Sequence, residues 1–140
     1  MRKSKINISG FKIGTAENRE GLTGVTVILA PDGGATAGVD VRGCAPGTRE
    51  TDLLDPRKTV QKIHAVVLSG GSAFGLEAAS GCVKYLAEQG VGFPIGNVCV
   101  PIVCSAVLFD LMIGDEKAYP DLLMGYEAAK SASSEFLSGC

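Results

Sequence analysis

Residues 65–81, AVVLSGGSAFGLEAASG, decide the fold of this chain. The apolar run that ends at Leu68 rises from residue 59 and predicts a buried β-strand. The glycines and serines that follow it predict a tight turn. Over residues 73–89 the apolar side chains recur at helical spacing, and Gly90 takes the position that commonly follows a helix. The stretch therefore predicts a strand, a glycine-rich turn and a helix in direct succession.

The residues on either side of this unit predict further strands and one more helix. Three runs rich in Val, Ile and Thr are predicted as strands: residues 11–15, 23–30 and 36–41. Gly33 and Gly34 are expected to close a hairpin between the last two runs. Extended structure is expected at residues 90–103 and a helix at residues 120–136, with Gly139 beyond its end. This order, without a linker or repeat, predicts an α/β sandwich with a mixed sheet and a single domain over residues 1–140.

Composition excludes several classes of protein. The net charge is −2 and the basic residues form no stripe, so a nucleic-acid partner is not expected. The basic start of the chain lacks the apolar core of a signal peptide, and no run reaches the roughly 18 apolar residues of a membrane span. We therefore expect a cytoplasmic protein without a membrane partner. Because hydrophobic residues make up 46% of the chain, we also expect a partner or a further segment to cover some apolar surface.

The cysteines do not indicate a metal site. The five cysteines have no CxxC spacing, and the chain has one histidine, so zinc is not expected. We expect free, buried thiols. His64 stands beside the buried strand without an obvious Ser or Cys partner and is interpreted as a structural histidine. The carboxylates of Asp110, Asp115 and Glu116 follow an apolar run and are interpreted as a helix end or loop.

The glycine-rich turn allows two interpretations. Its backbone N–H groups, placed before a helix, would form a cradle for an anion or a developing oxyanion. Alternatively it is a tight connection in which Ser72 caps the helix. The residues do not fit a Walker A loop, a Rossmann fingerprint or a GxSxG nucleophile elbow, since position 74 is Phe. In the loop at residues 46–51, Arg49 with Glu50 or Asp52 would either clamp a substrate or form a surface ion pair.

Five ordered blocks give the chain a family resemblance: GLTGVTVIL, GVDVRGCAPGTRETDLLDP, AVVLSGGSAFGLEAASG, VPIVCSAVLFDLMIGD and PDLLMGYEAA. Together they resemble the DmpA-type family of L-aminopeptidases/D-esterases over about residues 13–140. The resemblance implies a DmpA/ornithine-acetyltransferase-like α/β/β/α sandwich with mixed sheets, incomplete here. It also implies a homo-oligomer that uses no metal or organic cofactor.

The chemistry that the resemblance implies is that of an N-terminal-nucleophile hydrolase. Such a precursor cuts its own backbone before a Ser or Thr, whose freed amine and hydroxyl then act as base and nucleophile. Substrates are short peptides, amino-acid amides or esters with a free amine. The nucleophile would lie downstream of Cys140, near which some members place an oxyanion-hole asparagine. We therefore expect an N-terminal portion that is inactive alone and needs a complementary C-terminal segment or chain.

The resemblance assigns supporting roles to two segments of this chain. Residues that line the active-site region, and support the substrate or the oxyanion without making bonds, are Ser69, Gly70, Gly71, Ser72, Arg49 and Glu50. Two alternatives from other classes remain. One is a small-molecule or anion-binding subunit that uses the helix N-terminus after Leu68. The other is a catalytically inactive structural protomer that assembles through the apolar run at residues 98–112.

Overall fold

A computed structural model describes residues 2–138 of the chain and contains nine strands and two α-helices in that range. The strands are β1 (Arg2–Lys5), β2 (Lys12–Asn18), β3 (Thr23–Leu29), β4 (Thr48–Arg49), β5 (Ala65–Ser69), β6 (Phe93–Ile95), β7 (Val98–Val100), β8 (Val103–Val107) and β9 (Glu135–Ser138). The helices are α1 (Ala78–Glu88) and α2 (Leu122–Lys130), and short 3-10 helices cover Asp52–Leu54 and Ser72–Glu77.

The central feature is a five-stranded mixed sheet in the order β2-β3-β5-β8-β4. Strand β3 runs antiparallel to β2 and to β5, and β4 runs antiparallel to β8. Strands β5 and β8 run parallel, with Ala65 opposite Val103 and Ser69 opposite Val107. The connection between the two parallel strands contains α1, as a parallel crossover requires. The predicted strand, turn and helix at residues 65–89 are confirmed as the middle of this sheet and its crossover.

Both helices cover the same face of the sheet. Helix α1 packs on α2 and on β5 and β8, while α2 packs on β2 and β3. Alternate residues of β3 and β5 are buried beneath the helices because successive side chains of a strand point to opposite faces. The core residues on this face include Val25, Val27, Leu29, Ala65, Val67, Ala78, Ala79, Cys82, Leu86 and Val103.

The opposite face of the sheet has less cover. Thr26, Ile28 and Val66 are half-buried there, and Leu68 is 46% exposed. A two-stranded ribbon of β1 and β9 lies beside β2, where Thr15 Oγ1 donates to the carbonyl of Leu137 at 3.2 Å. The described residues thus supply one helix layer, one mixed sheet and this ribbon, which is a mixed α/β architecture.

The predicted strand at residues 36–41 and its hairpin are wrong. Both edges of β3 are occupied by β2 and β5, so no edge remains for a third partner. In that region only an isolated bridge between Ala35 and Ile63 is formed. Gly33 and Gly34 do have positive φ angles, of 82° and 79°, but the turn they form leads to the single bridge at Ala35 and not to a strand.

Two other predictions need smaller corrections. The last helix ends at Lys130, and β9 follows at Glu135, because these residues pair with β1. The run at residues 90–103 is extended as expected, but β6 and β7 form a separate hairpin whose apolar residues Ile95, Val98 and Val100 are exposed. Gly139 and Cys140 lie outside the described residues. No helix within residues 2–138 is long and apolar enough to cross a membrane.

Candidate functional site

The predicted site segments meet at the carboxyl ends of the two parallel strands. Strand β5 ends at Ser69 and continues into the glycine-rich turn, which we define as residues 69–75. Strand β8 ends at Val107, whose N–H donates to the carbonyl of Gly47 at 3.0 Å. The start of the loop at residues 46–51 therefore lies one strand away from the turn. The carboxyl edge of parallel strands is the usual location of ligand sites in α/β sheets.

The residues after β8 hold the turn from one side. Leu108 N–H donates to the carbonyl of Ser69 at 3.0 Å, and the carbonyl of Leu108 accepts from the N–H of Ser72 at the same distance. On the other side, Gly70 N–H donates to the carbonyl of Gly24 at 2.9 Å and so extends the ladder between β3 and β5. The turn is thus fixed between two neighbouring strands before its helix begins.

Asp110 adds a carboxylate to this arrangement. One carboxylate oxygen accepts from the N–H of Gly71 at 2.6 Å, and the other accepts from the hydroxyl of buried Thr23 at 2.8 Å. Asp110 therefore ties the turn to the first residue of β3. The sequence predicted only a helix end or loop at this position, and the signal that it missed was a carboxylate three residues beyond a buried strand.

The glycines of the turn are required for space. A Cβ atom on Gly70 would overlap Asp110 Oδ2 and Thr23 Oγ1, and one on Gly75 would overlap the carbonyl oxygen of Gly70. Gly71 has a φ angle of 79°, and a Cβ atom there would lie 2.5 Å from Cβ of Tyr119. The backbone and the carboxylate consequently approach more closely than side chains would allow.

The turn is not an open cradle for an anion. A 3-10 helix that begins at Ser72 leaves the first N–H groups, on Gly71, Ser72 and Ala73, without acceptors inside the helix. Gly71 donates to Asp110 and Ser72 donates to Leu108, so two of these three donors are taken. The third belongs to Ala73, an exposed residue. The interpretation of all these N–H groups as free anion ligands is wrong.

The prediction that Ser72 caps the helix is also wrong. The capping residue is Gly71, and no side chain makes a capping hydrogen bond there. Ser72 itself is half-buried and has a φ angle of 52°, which is uncommon for a residue other than glycine. Ser69 is 3% exposed, and its hydroxyl donates to the carbonyl of Gly70. Of the two serines, only Ser72 has an accessible surface for a ligand.

In the loop at residues 46–51, the side chains of Arg49 and Glu50 point in different directions. The guanidinium of Arg49 donates to Ser80 Oγ at 2.7 Å and so joins β4 to α1, the helix that follows the turn. Glu50 is exposed and has a φ angle of 61°, and its carbonyl accepts from the thiol of Cys104. The structure therefore brings Arg49 to the helix behind the turn, whereas the side chain of Glu50 faces solvent.

His64 and the cysteines carry structural rather than reactive features. Nδ1 of His64 accepts from the N–H of Ile102 at 3.0 Å, and burial lowers the pKa of this histidine. Burial raises the pKa of Cys82 to about 12 and also raises that of Cys104. The prediction of buried thiols is right for these two and wrong for Cys44 and Cys99, which are exposed. Cys140, the predicted oxyanion-position match, lies outside the described residues.

An aromatic pair stands beside the turn. The rings of Phe74 and Tyr119 are stacked with centroids 4.8 Å apart, and Phe74 is 58% exposed. Several more exposed apolar side chains surround the same edge: Leu22, Leu108, Phe109, Met112 and Ile113. The edge thus combines the backbone amide of Ala73, an exposed residue, with the hydroxyl of Ser72 and a border of apolar side chains.

Comparisons with known proteins show which family the chain belongs to. The model of peptidase family S58 matches residues 5–140. The chain is 48% identical over 116 residues to an uncharacterized aminopeptidase of Mycobacterium leprae, covering 83% of this chain and 32% of that protein. It is 35% identical over 136 residues to the 6-aminohexanoate-oligomer endohydrolase of Kocuria sp., covering 96% of this chain and 36% of that enzyme. The chain thus spans about a third of the length of these relatives.

A solved structure agrees at the level of the fold. The ornithine acetyltransferase of Mycobacterium tuberculosis, solved in complex with ornithine, superposes with a TM-score of 0.55 and 14% sequence identity. The match covers 95% of this chain and 76% of that one. It confirms the ornithine-acetyltransferase-like fold that the sequence blocks predicted. Because the family model covers nearly the whole chain, the protein belongs to peptidase family S58, the DmpA family.

Proposed function

We propose that the complete polypeptide containing this segment is an N-terminal-nucleophile hydrolase of short peptides, amino-acid amides or esters with a free amine. The observation that carries the proposal is the match to a peptidase family over residues 5–140. The names of the relatives, an aminopeptidase and an oligomer endohydrolase, support hydrolysis of amide bonds. The segment described here supplies one wall of the active site, and the downstream part supplies the nucleophile.

The proposed reaction needs a nucleophile with its own base. After self-cleavage, the α-amine of a new N-terminal Ser or Thr accepts the proton of its own hydroxyl as the oxygen attacks the substrate carbonyl. The carbonyl oxygen becomes an oxyanion, and collapse of this intermediate breaks the C–N bond and passes the proton to the leaving amine. Water then attacks the acyl-enzyme ester, which releases the acid and restores the hydroxyl.

The contribution of this segment is to stabilise the oxyanion and orient the substrate. Donors fixed in advance at a developing negative charge are effective because they need no reorganisation during the reaction. At the turn, the donor left by the internal hydrogen bonds is the N–H of Ala73, next to the hydroxyl of Ser72. Through its bond to Ser80, Arg49 fixes α1, the helix that directly follows the 3-10 helix carrying these groups.

The test is the expression of the complete polypeptide. Intact-mass analysis under denaturing conditions is expected to show two chains, the second beginning with Ser or Thr, and the protein is expected to hydrolyse aminoacyl p-nitroanilides. Replacement of that Ser or Thr by Ala should abolish both cleavage and hydrolysis. A polypeptide that stays intact and inactive against amide and ester substrates would contradict the proposal.

The 140-residue chain alone provides the matching negative control. Because its part of the site holds no nucleophile in the proposed mechanism, it is expected to show no hydrolysis above the rate without protein. Adding a separately produced downstream chain should restore turnover if the two associate. Turnover by the 140-residue chain alone would place the nucleophile within it and contradict this division of labour.

We also propose that the complete protein is a homo-oligomer. The support is the group of exposed apolar side chains on the β6–β7 hairpin and within residues 108–113, since wide exposed apolar patches commonly mark interaction surfaces. Sedimentation velocity of the complete polypeptide is expected to show a species of at least twice the monomer mass. The double substitution Val98→Lys and Val100→Lys in the hairpin should shift the sedimenting species toward the monomer. A wild-type polypeptide that sediments as a monomer at micromolar concentration would contradict the proposal.

A further inference from the structure

We propose that Asp110 is a positioning residue of the active site, which holds the glycine-rich turn in the conformation that presents Ala73 N–H and Ser72 to the substrate. This inference rests on the proposed function. Its basis is that the two carboxylate oxygens of Asp110 connect two different parts of the fold. One accepts the N–H of Gly71, and the other accepts the hydroxyl of Thr23.

The sheet itself fixes the backbone as far as Gly70. The pairing of β3, β5 and β8 extends to the end of β5, and Gly70 N–H continues it by donating to Gly24. The strands therefore need no help from Asp110 to find their register. The turn leaves the sheet after Gly70, and its next N–H, on Gly71, is held by the carboxylate rather than by a strand.

The two residues after Gly70 have an uncommon backbone conformation. Gly71 and Ser72 both have positive φ angles, of 79° and 52°, and Ser72 pays a conformational cost for this that glycine would not. A residue keeps such a conformation only where its surroundings over-determine it. Two hydrogen bonds hold this conformation: Gly71 N–H donates to the carboxylate of Asp110, and Ser72 N–H donates to the carbonyl of Leu108. Both acceptors belong to the loop after β8.

Asp110 also fills the space beside Gly70. The carboxylate occupies the place that a side chain at residue 70 would fill, because a Cβ atom on Gly70 would overlap Asp110 Oδ2 and Thr23 Oγ1. The glycine at this position and the carboxylate are therefore matched to each other. A charge-assisted hydrogen bond from an amide to a carboxylate is also stronger than one to a neutral acceptor. Asp110 thus acts on the reaction through the turn and does not contact the substrate itself.

The experiment uses the complete polypeptide and compares four variants: D110A, D110N, T23V and D115A. Asparagine keeps one oxygen that can accept from Gly71 N–H, and T23V removes only the second anchor of the carboxylate. Asp115 is the matched control, since it is an exposed carboxylate in the same loop that also accepts a backbone N–H, from Lys117 at 2.9 Å. Steady-state kinetics on an aminoacyl p-nitroanilide and thermal melting are measured for each.

We expect D110A to lower kcat by about 100-fold with little change in KM, because a misplaced donor is felt in the transition state. D110N should recover activity to within about tenfold of wild type, T23V should fall between them, and D115A should match wild type within about twofold. The melting temperature of D110N should stay within about 4 °C of wild type. If D110A does not mature, D110N and T23V carry the comparison.

Three results would overturn the inference. The first is a D110A enzyme whose kcat equals that of D115A. The second is a loss of activity in D110N and T23V that follows their loss of melting temperature, since that would mean a general stabilising role. The third is an inactive wild-type polypeptide, which removes the proposed function and with it this role of Asp110. The activity of the wild-type polypeptide thus distinguishes failure of the proposed function from failure of the positioning role.

Discussion

The turn at residues 69–75 and the segment at residues 38–46 both contain at least two glycines, yet their surroundings differ. In the turn, Cβ atoms on Gly70 and Gly75 would overlap neighbouring atoms. In the segment, Gly38 and Gly43 have nothing within 4 Å of such an atom, and residues 38–46 are all exposed. Glycine therefore marks close packing in one region and an open, exposed backbone in the other.

The difference also concerns backbone conformation. Gly43 has a φ angle of 92°, so glycine is favoured there by conformation although space is free. Gly38 needs glycine for neither reason. In the turn, by contrast, space is the constraint at Gly70 and Gly75, and both space and conformation act at Gly71. Gly→Ala substitutions, which add a single methyl group, should therefore change the free energy of unfolding differently in the two regions. The rate at which a cysteine thiol is labelled should likewise differ between open and packed surroundings.

The largest expected difference is in thiol reactivity. Cys44 lies in the open segment, whereas Cys82 lies on α1 beneath the sheet, where burial raises its pKa to about 12. Because the thiolate is the reactive form, native Cys82 should react with iodoacetamide at pH 8 at least ~1000-fold more slowly than Cys44. Peptide mapping by mass spectrometry after timed labelling measures both rates, and unfolding in urea should make them similar. Equal rates in the native protein would contradict the packing of α1.

The next largest effect is expected for a methyl group in the turn. Gly75→Ala should lower the free energy of unfolding by about 3 kcal/mol, because the added atom collides with the backbone of Gly70 rather than with a flexible side chain. Urea denaturation followed by circular dichroism measures this loss. A loss below about 1 kcal/mol would show that the turn can shift to make room.

A smaller effect is expected at the opposite end of β5, where His64 is buried. Its pKa in the folded protein is lowered from 6.5, so the unfolded state binds more protons and stability falls as the pH drops below about 6.5. Glutamine at this position keeps an acceptor for Ile102 N–H and does not titrate. Urea midpoints at pH 7.5 and pH 5.5 should therefore fall more for wild type than for His64→Gln. An equal fall in both proteins would remove His64 as the cause.

The smallest effect is expected at Gly38. Gly38→Ala places a methyl group in open space, so the free energy of unfolding should change by less than about 0.5 kcal/mol and could even rise through the lower entropy of the unfolded chain. The same urea measurement serves, with Gly75→Ala as the contrasting variant. A large loss at Gly38 would show that the open segment is packed against something that the described residues do not include.

Much of the central unit was predictable because its signals are local. The strand β3 was predicted at residues 23–30 and is found at Thr23–Leu29, and the helical region predicted at residues 73–89 is found at residues 72–88. Hydrophobic periodicity and a terminal glycine belong to the residues of the element itself. The helix begins as a 3-10 turn rather than with a serine cap, since the first amides bond to the loop after β8 instead.

The wrong secondary-structure predictions lie where strands compete for pairing partners. Residues 36–41 have strand-forming side chains, but β2 and β5 occupy both edges of β3. The predicted last helix stops at Lys130 because its final residues pair with β1 from the other end of the chain. Neither fact is visible within the segment, because strand pairing is a choice among distant partners.

The sequence by itself determined the strand, turn and helix at the centre, the mixed α/β class and the membership of peptidase family S58. These depend on side-chain periodicity and on ordered blocks, which are properties of the chain read in one direction. Only the tertiary structure decided that the turn is closed rather than open, because the carboxylate that fills it, Asp110, is 39 residues from Gly71. A hydrogen bond between residues so far apart depends on the register of three strands, which local sequence does not encode.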